Sequence, residues 1–168
     1  AVRQTSRLPF GRLTAAVRHA TCTPHSAMGA RTYRDLEAWQ LADDLRREVI
    51  AFTAKPPASR DLRFCSGIRD AAGSVCRNLA EGFGRRRPRE FAQYARIALG
   101  SLAEVQDQLL DARHRHYLSN ADFTRLLALS ERVRQTTKGL HAYLDAFVRQ
   151  ETPNRRESSQ NGKRRGIV

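Results

Sequence analysis

Gly67-Ile68-Arg69-Asp70-Ala71-Ala72-Gly73-Ser74-Val75-Cys76-Arg77-Asn78-Leu79-Ala80-Glu81-Gly82-Phe83-Gly84-Arg85 reads as an amphipathic helix that runs into a basic turn. Cys65, Ile68, Ala72, Val75, Leu79 and Phe83 recur every three or four residues, which lines them up on one helical face. Gly67 and Gly73 each cost about 1 kcal/mol relative to alanine inside a helix. With Ala71, Ala72 and Ala80 they form a small-residue surface that lets another helix come close. The outer side carries Asp70, Arg77 and Glu81, and the last two stand four apart, placed to pair. Beyond Gly82 and Gly84 come four arginines in five residues, Arg85, Arg86, Arg87 and Arg89.

Three more helices surround this one. The first is expected from Asp35, a capping residue, to Thr53, before Pro56-Pro57. Ala38, Leu41, Leu45, Val49 and Phe52 make its core stripe, while Leu36, Trp39 and Ile50 lie on nearly the opposite side. The second spans Asp61 to Phe83. The third starts at Pro88, a favoured first-turn residue, and runs to His116. Phe91, Tyr94, Ala98, Leu102, Val105 and Leu109 face its core, and Leu99, Ala103 and Leu110 form a second stripe. Ser119 and Asp122 resemble a capping box opening the fourth helix, Asn120 to Arg149. Its inward residues are Phe123, Leu126, Leu127, Val133, Leu140, Leu144 and Phe147. Without a strand signal and with short connections, the expected fold is an all-α, up-down-up-down antiparallel four-helix bundle over residues 33–149. The surplus apolar stripes predict a homo-oligomer, with Leu36, Trp39, Leu99 and Leu110 at the interface.

Charge is distributed unevenly. The net charge is +13. Residues 1–32 hold five arginines and no acid, and residues 149–168 hold six basic and two acidic residues. Only +4 remains for residues 33–148, so the pI near 11.0 mostly reports the ends. Both ends, 1–32 and 150–168, are expected to be disordered. For residues 1–27 a targeting peptide is the rival reading. The basic balance makes nucleic acid a fitting partner, with an inert solvated surface as the alternative. No uncharged stretch approaches the ~20 residues of a membrane span. Three cysteines without CxxC spacing point to a reducing, cytoplasmic setting. Cys65 and Cys76 share a helix face but stand about 16 Å apart along it, too far for a disulfide.

Several motifs tie the chain to a family. In order they are Asp35-Leu36-x-x-Trp39-Gln40-x-Ala42, Ile68-Arg69-x-Ala71-Ala72 and Asn78-x-Ala80-Glu81-Gly82-Phe83-Gly84-Arg85. Glu90-Phe91 and Ile97-Ala98-x-Gly100-Ser101-Leu102-x-Glu104 follow. In this order and spacing, from Tyr33 to Phe147, the chain resembles the four-helix-bundle 23S rRNA intervening-sequence proteins. The accessory proteins of diversity-generating retroelements are similar to these. The resemblance implies a left-handed bundle, often a ring-like homopentamer, without enzymatic activity. For the retroelement members it implies binding to nucleic acid and to a reverse transcriptase. The chain departs from the pattern at Cys76, where the family usually has proline, and at Gly67-Ile68-Arg69-Asp70, where Gln-Ile-Arg-Arg is usual.

Catalytic chemistry finds no support in the sequence. A di-iron bundle needs a Glu-x-x-His on each of two helices, and Asp111-x-x-His114 is the only near match. Glu104, Asp107 and Asp111 form an outward acidic face. Glu81-Gly82-Phe83-Gly84-Arg85 lacks the strand and the terminal Lys-Ser/Thr of a phosphate loop. Neither Ser74 nor Ser101 has a histidine placed for nucleophilic catalysis. No enzyme, metal or cofactor is therefore expected. The expected site is Arg85, Arg86, Arg87 and Arg89, at a helix start where free N–H groups favour anions. RNA or DNA is the expected partner, and a protein-interaction scaffold for a reverse transcriptase is the alternative.

Overall fold

A computed structural model describes the backbone of residues 29–163 and the side chains of residues 29–150. Its four helices are α1 (Glu37–Thr53), α2 (Leu62–Gly84), α3 (Pro88–His114) and α4 (Asn120–Lys163), with short 3₁₀ turns at Tyr33–Asp35 and Ala58–Arg60. No strand occurs among the described residues. Each of α1 and α3 packs against both α2 and α4, so the chain forms an all-α, four-helix bundle. No helix among the described residues is long and apolar enough to cross a membrane.

The expected stripes make the core. Cys65, Ile68, Ala72, Val75 and Leu79 of α2 are buried, with Leu41, Leu45 and Val49 of α1. Ala98, Leu102, Val105 and Leu109 of α3 join Phe123, Leu126 and Val133 of α4 in the same cluster. A second cluster of Leu36, Phe91, Ala92 and Leu144, backed by Tyr33, Trp39 and Phe83, fills one end. Both helical cysteines are free and buried, and burial pushes the Cys76 thiol up to about 11. The Cys65 thiol donates to the Ala58 carbonyl at 3.1 Å, pinning the α1–α2 connection.

Gly82 sets the spacing of α2 and α3. A Cβ there would lie 2.5 Å from a Phe91 ring carbon and 2.7 Å from Tyr94 Cβ. Nearby, the Ser74 and Ser101 hydroxyls bond across the same seam at 2.8 Å.

Four details differ from the sequence reading. Helix α1 starts at Glu37, because the Asp35 carboxylate turns back to accept the Arg31 and Thr32 N–H groups at 2.8 and 2.7 Å. Leu36 therefore precedes α1 in extended conformation (φ −76°, ψ 121°), and a helical wheel misplaces it. It is only 6% exposed and packs into the end cluster of its own chain, which leaves little surface for the expected interface. Helix α3 stops at His114, since His116 adopts a left-handed φ of 57° and the Tyr117 N–H closes onto the Ala112 carbonyl. Helix α4 continues to Lys163, beyond the Arg149 at which the reading ended it, and residues 164–168 of the expected tail lie outside the described residues. Extending an existing helix needs no new nucleus, so even a polar segment can continue it. The disorder expected for residues 1–28 lies outside the described residues.

Gly82→Ala should lower stability by about 1–3 kcal/mol, because the new methyl forces Phe91 or the helix axis to move. Gly100→Ala, in a position with nothing within 4 Å of the added carbon, should instead raise it by up to about 1 kcal/mol. Urea unfolding of both variants measures the contrast.

Candidate functional site

The arginine turn is assembled from the end of α2 and the start of α3. Arg85 closes α2, its N–H donating to the Glu81 carbonyl at 3.0 Å. Arg86 holds a left-handed φ of 56°, which costs a non-glycine residue on the order of 1–2 kcal/mol. Arg87 is extended (φ −107°, ψ 122°) and precedes α3 without a side-chain cap. Pro88 then takes the first helical position, where its missing N–H removes nothing. Beneath the turn, Phe83 and Phe91 stack edge to face at 6.2 Å and anchor it to the end cluster.

The four guanidinium groups are not equivalent. Arg85 is held in place: it donates to Glu81 at 2.6 Å and to the Tyr94 hydroxyl at 3.1 Å, and lies 5.5 Å over the Tyr94 ring. The Tyr94 hydroxyl donates to Glu81 at 2.8 Å, closing a triangle between α2 and α3. Its hydrogen bonds to Arg85 and Tyr94 hold Glu81 below the usual glutamate value. The bond to Glu81 pushes both Arg85 and Tyr94 up. Arg87 makes a 3.3 Å pair with Glu90 and stays mostly in solvent. Arg86 and Arg89 are exposed, and neither has an ion-pair partner among the described residues.

Sequence reading missed the triangle. Glu81 was paired with Arg77, which instead folds back to the Asp70 carbonyl at 3.3 Å. Tyr94 was placed in the core stripe, whereas Ala95 is fully buried and Tyr94 stands at the edge with its hydroxyl outward. The equal i,i+4 spacing of Glu81 and Arg85 was the available signal. Arg34 was also overlooked. It lies 5.6 Å over the Tyr33 ring, on a turn that packs against α2 at this same end of the bundle.

The other candidates are dispersed. Trp39 and Leu99 are half-buried, and Leu110 is 43% exposed. Ile50 and Ile97 also show large apolar surface. Asp111 pairs with Arg115 at 2.9 Å, while Glu104 and Asp107 face solvent. No group of three or more metal-ligating side chains converges among the described residues.

Fold and turn together define a class: a four-helix bundle with a Gly-Phe-Gly-Arg corner between its second and third helices. The family model of the 23S rRNA-intervening sequence proteins matches residues 34–139, and the chain belongs to that family. No curated protein matches the chain.

The triangle has a pH signature. A carboxylate whose pKa is lowered by folding stabilises the fold above its ordinary value of 4.5. That contribution fades as pH falls through 4.5 toward the lowered value. Glu81→Gln should therefore unfold at lower urea than wild type at pH 7, and the gap should narrow toward pH 3. A gap independent of pH would mean that the carboxylate charge contributes nothing.

Proposed function

We propose that this protein is a non-enzymatic, oligomeric bundle that binds nucleic acid at the α2–α3 turn. One observation carries the reading: Arg86, in the turn, and Arg89, in the first turn of a 27-residue helix, have no ion-pair partner among the described residues. Cations there oppose the helix dipole, so local stability does not explain them. A phosphate group does, because it meets both the guanidinium groups and the first-turn N–H groups. Arg85, tied to Glu81 and Tyr94, shapes the turn, and Arg87 stands at its rim. The family's association with ribosomal RNA genes, carried in its name, agrees with RNA as the ligand.

The test compares full-length variants across a salt series. Each phosphate neutralised on a single strand adds roughly −0.7 to the log–log salt slope. Arg86→Gln with Arg89→Gln should make the slope shallower by about 1.4 if each contacts one phosphate. Adding Arg85→Gln and Arg87→Gln should change it further by less than a second such step. Affinity should fall alike for all sequences, since phosphate contacts carry no base information. An unchanged slope in the four-glutamine variant would retire the turn as a binding site and leave the protein-interaction scaffold in its place.

For assembly, the proposed contacts are Trp39, Leu99 and Leu110, with Leu110 the most exposed of the three. Leu110→Asp should move the mass toward monomer in light scattering, with helicity by circular dichroism retained. A monomeric wild type at tens of micromolar would refute this. Five copies in a ring is the arrangement that the family resemblance implies, and the measured mass decides the number.

A further inference from the structure

A cavity of about 590 Å³ opens at the α3–α4 corner, lined by Arg113, His114, His116, Leu118, Ser119 and Asn120. Its volume falls in the range typical of small-ligand sites. It lies at the far end of α3 from the arginine turn, about 40 Å away along 27 helical residues.

The side chains around it are donors in excess. Arg113 is set 4.9 Å over the Phe123 ring, which fixes the stem and leaves its N–H groups unspent. Neither it nor His114, His116 or Asn120 has a side-chain hydrogen-bond acceptor among the described residues. The neighbouring carboxylates are already committed. Asp111 is held by Arg115, and Asp61 by Arg115 and Tyr117. Asp122 is held by the Ser119 hydroxyl at 2.7 Å and by Arg125. The first turn of α4 has already spent two donors on Ser119, the Asp122 N–H on its hydroxyl and the Phe123 N–H on its carbonyl. What remains is a cavity whose lining includes one guanidinium, two imidazoles and one amide, all exposed.

We propose that this cavity is a second phosphate-binding site, independent of the arginine turn. Arg113 supplies the charge and a planar fork of donors suited to phosphate oxygens, and His114, His116 and Asn120 complete the contact. The phosphate belongs either to a small phosphorylated molecule or to a nucleic-acid strand.

The two histidines make the test local. The ring C–H signals of His114 and His116 are assigned with His114→Gln and His116→Gln and followed by NMR in the full chain at fixed pH. Inorganic phosphate and a single-stranded oligouridylate are titrated separately, against sodium chloride at matched ionic strength. Saturating shifts at His114 and His116, with His141 unmoved, are expected for at least one probe. Arg113→Gln should weaken the midpoint read at these two signals at least five-fold, while Arg132→Gln, at an exposed cation of α4 further along the chain from the cavity's residues, should leave it unchanged. If Arg113→Gln disturbs Phe123, the exposed His114→Gln should show the same weakening through the His116 signal. Response at lower concentration to the oligonucleotide assigns the site to a strand, and response to phosphate alone assigns it to a small ligand. Shifts that do not saturate, that chloride reproduces, or that survive Arg113→Gln unchanged would overturn the proposal.

Discussion

The close approach of α2 and α3 at Gly82 is the constraint from which most of the molecule follows. Only a residue without a side chain leaves room for the Phe91 ring and Tyr94 Cβ at this point. Phe91 can then sink completely, stack on Phe83 and bring Leu36 and Leu144 around it. The same approach sets Tyr94 against Glu81 and so closes the triangle with Arg85. The arginine turn is thus built on a packing contact. A bulkier residue at Gly82 would disturb the core and the basic corner together, because close-packed interiors transmit displacement.

The fold was largely legible in the sequence because its signals are local and periodic. The inward stripe of α2 could be read residue by residue, as could the Pro88 start of α3 and the Ser119–Asp122 cap of α4. What escaped were features set by geometry between helices. Asp43 is charged, yet it is 3% exposed between Arg46 and Arg47, which periodicity alone cannot reveal. Leu36 was misplaced because its backbone is extended where a helix was assumed. Helix ends were misjudged where a side chain or a left-handed residue redirected the backbone, as at Asp35 and His116.

The arginine turn could be placed along the chain from the sequence, but the different surroundings of its four side chains could not. Four adjacent arginines look alike in a sequence. In the structure one is locked to two partners, one is loosely paired and two are free of ion pairs among the described residues. That difference arises from Glu81, Tyr94 and Glu90, in pairs separated by three to thirteen residues. An exposed ion pair already offsets part of the charge of Arg85 and Arg87, whereas Arg86 and Arg89 keep theirs.

The Asp61 carboxylate does more than cap a helix. It accepts from the Phe64 N–H at 3.0 Å, and from Arg115 and the Tyr117 hydroxyl, both at 3.1 Å. Those last two partners are 54 and 56 residues away along the chain. Antiparallel bundles fold mainly through contacts between successive helices, which keeps contact order low and folding fast. Asp61 lies at the far end of one such pairing, since it cannot meet Arg115 until α2 and α3 lie side by side along their whole length. It works as a latch between the start of α2 and the end of α3. Opening it first would leave the four helices packed while releasing the corner at which α3 passes into α4.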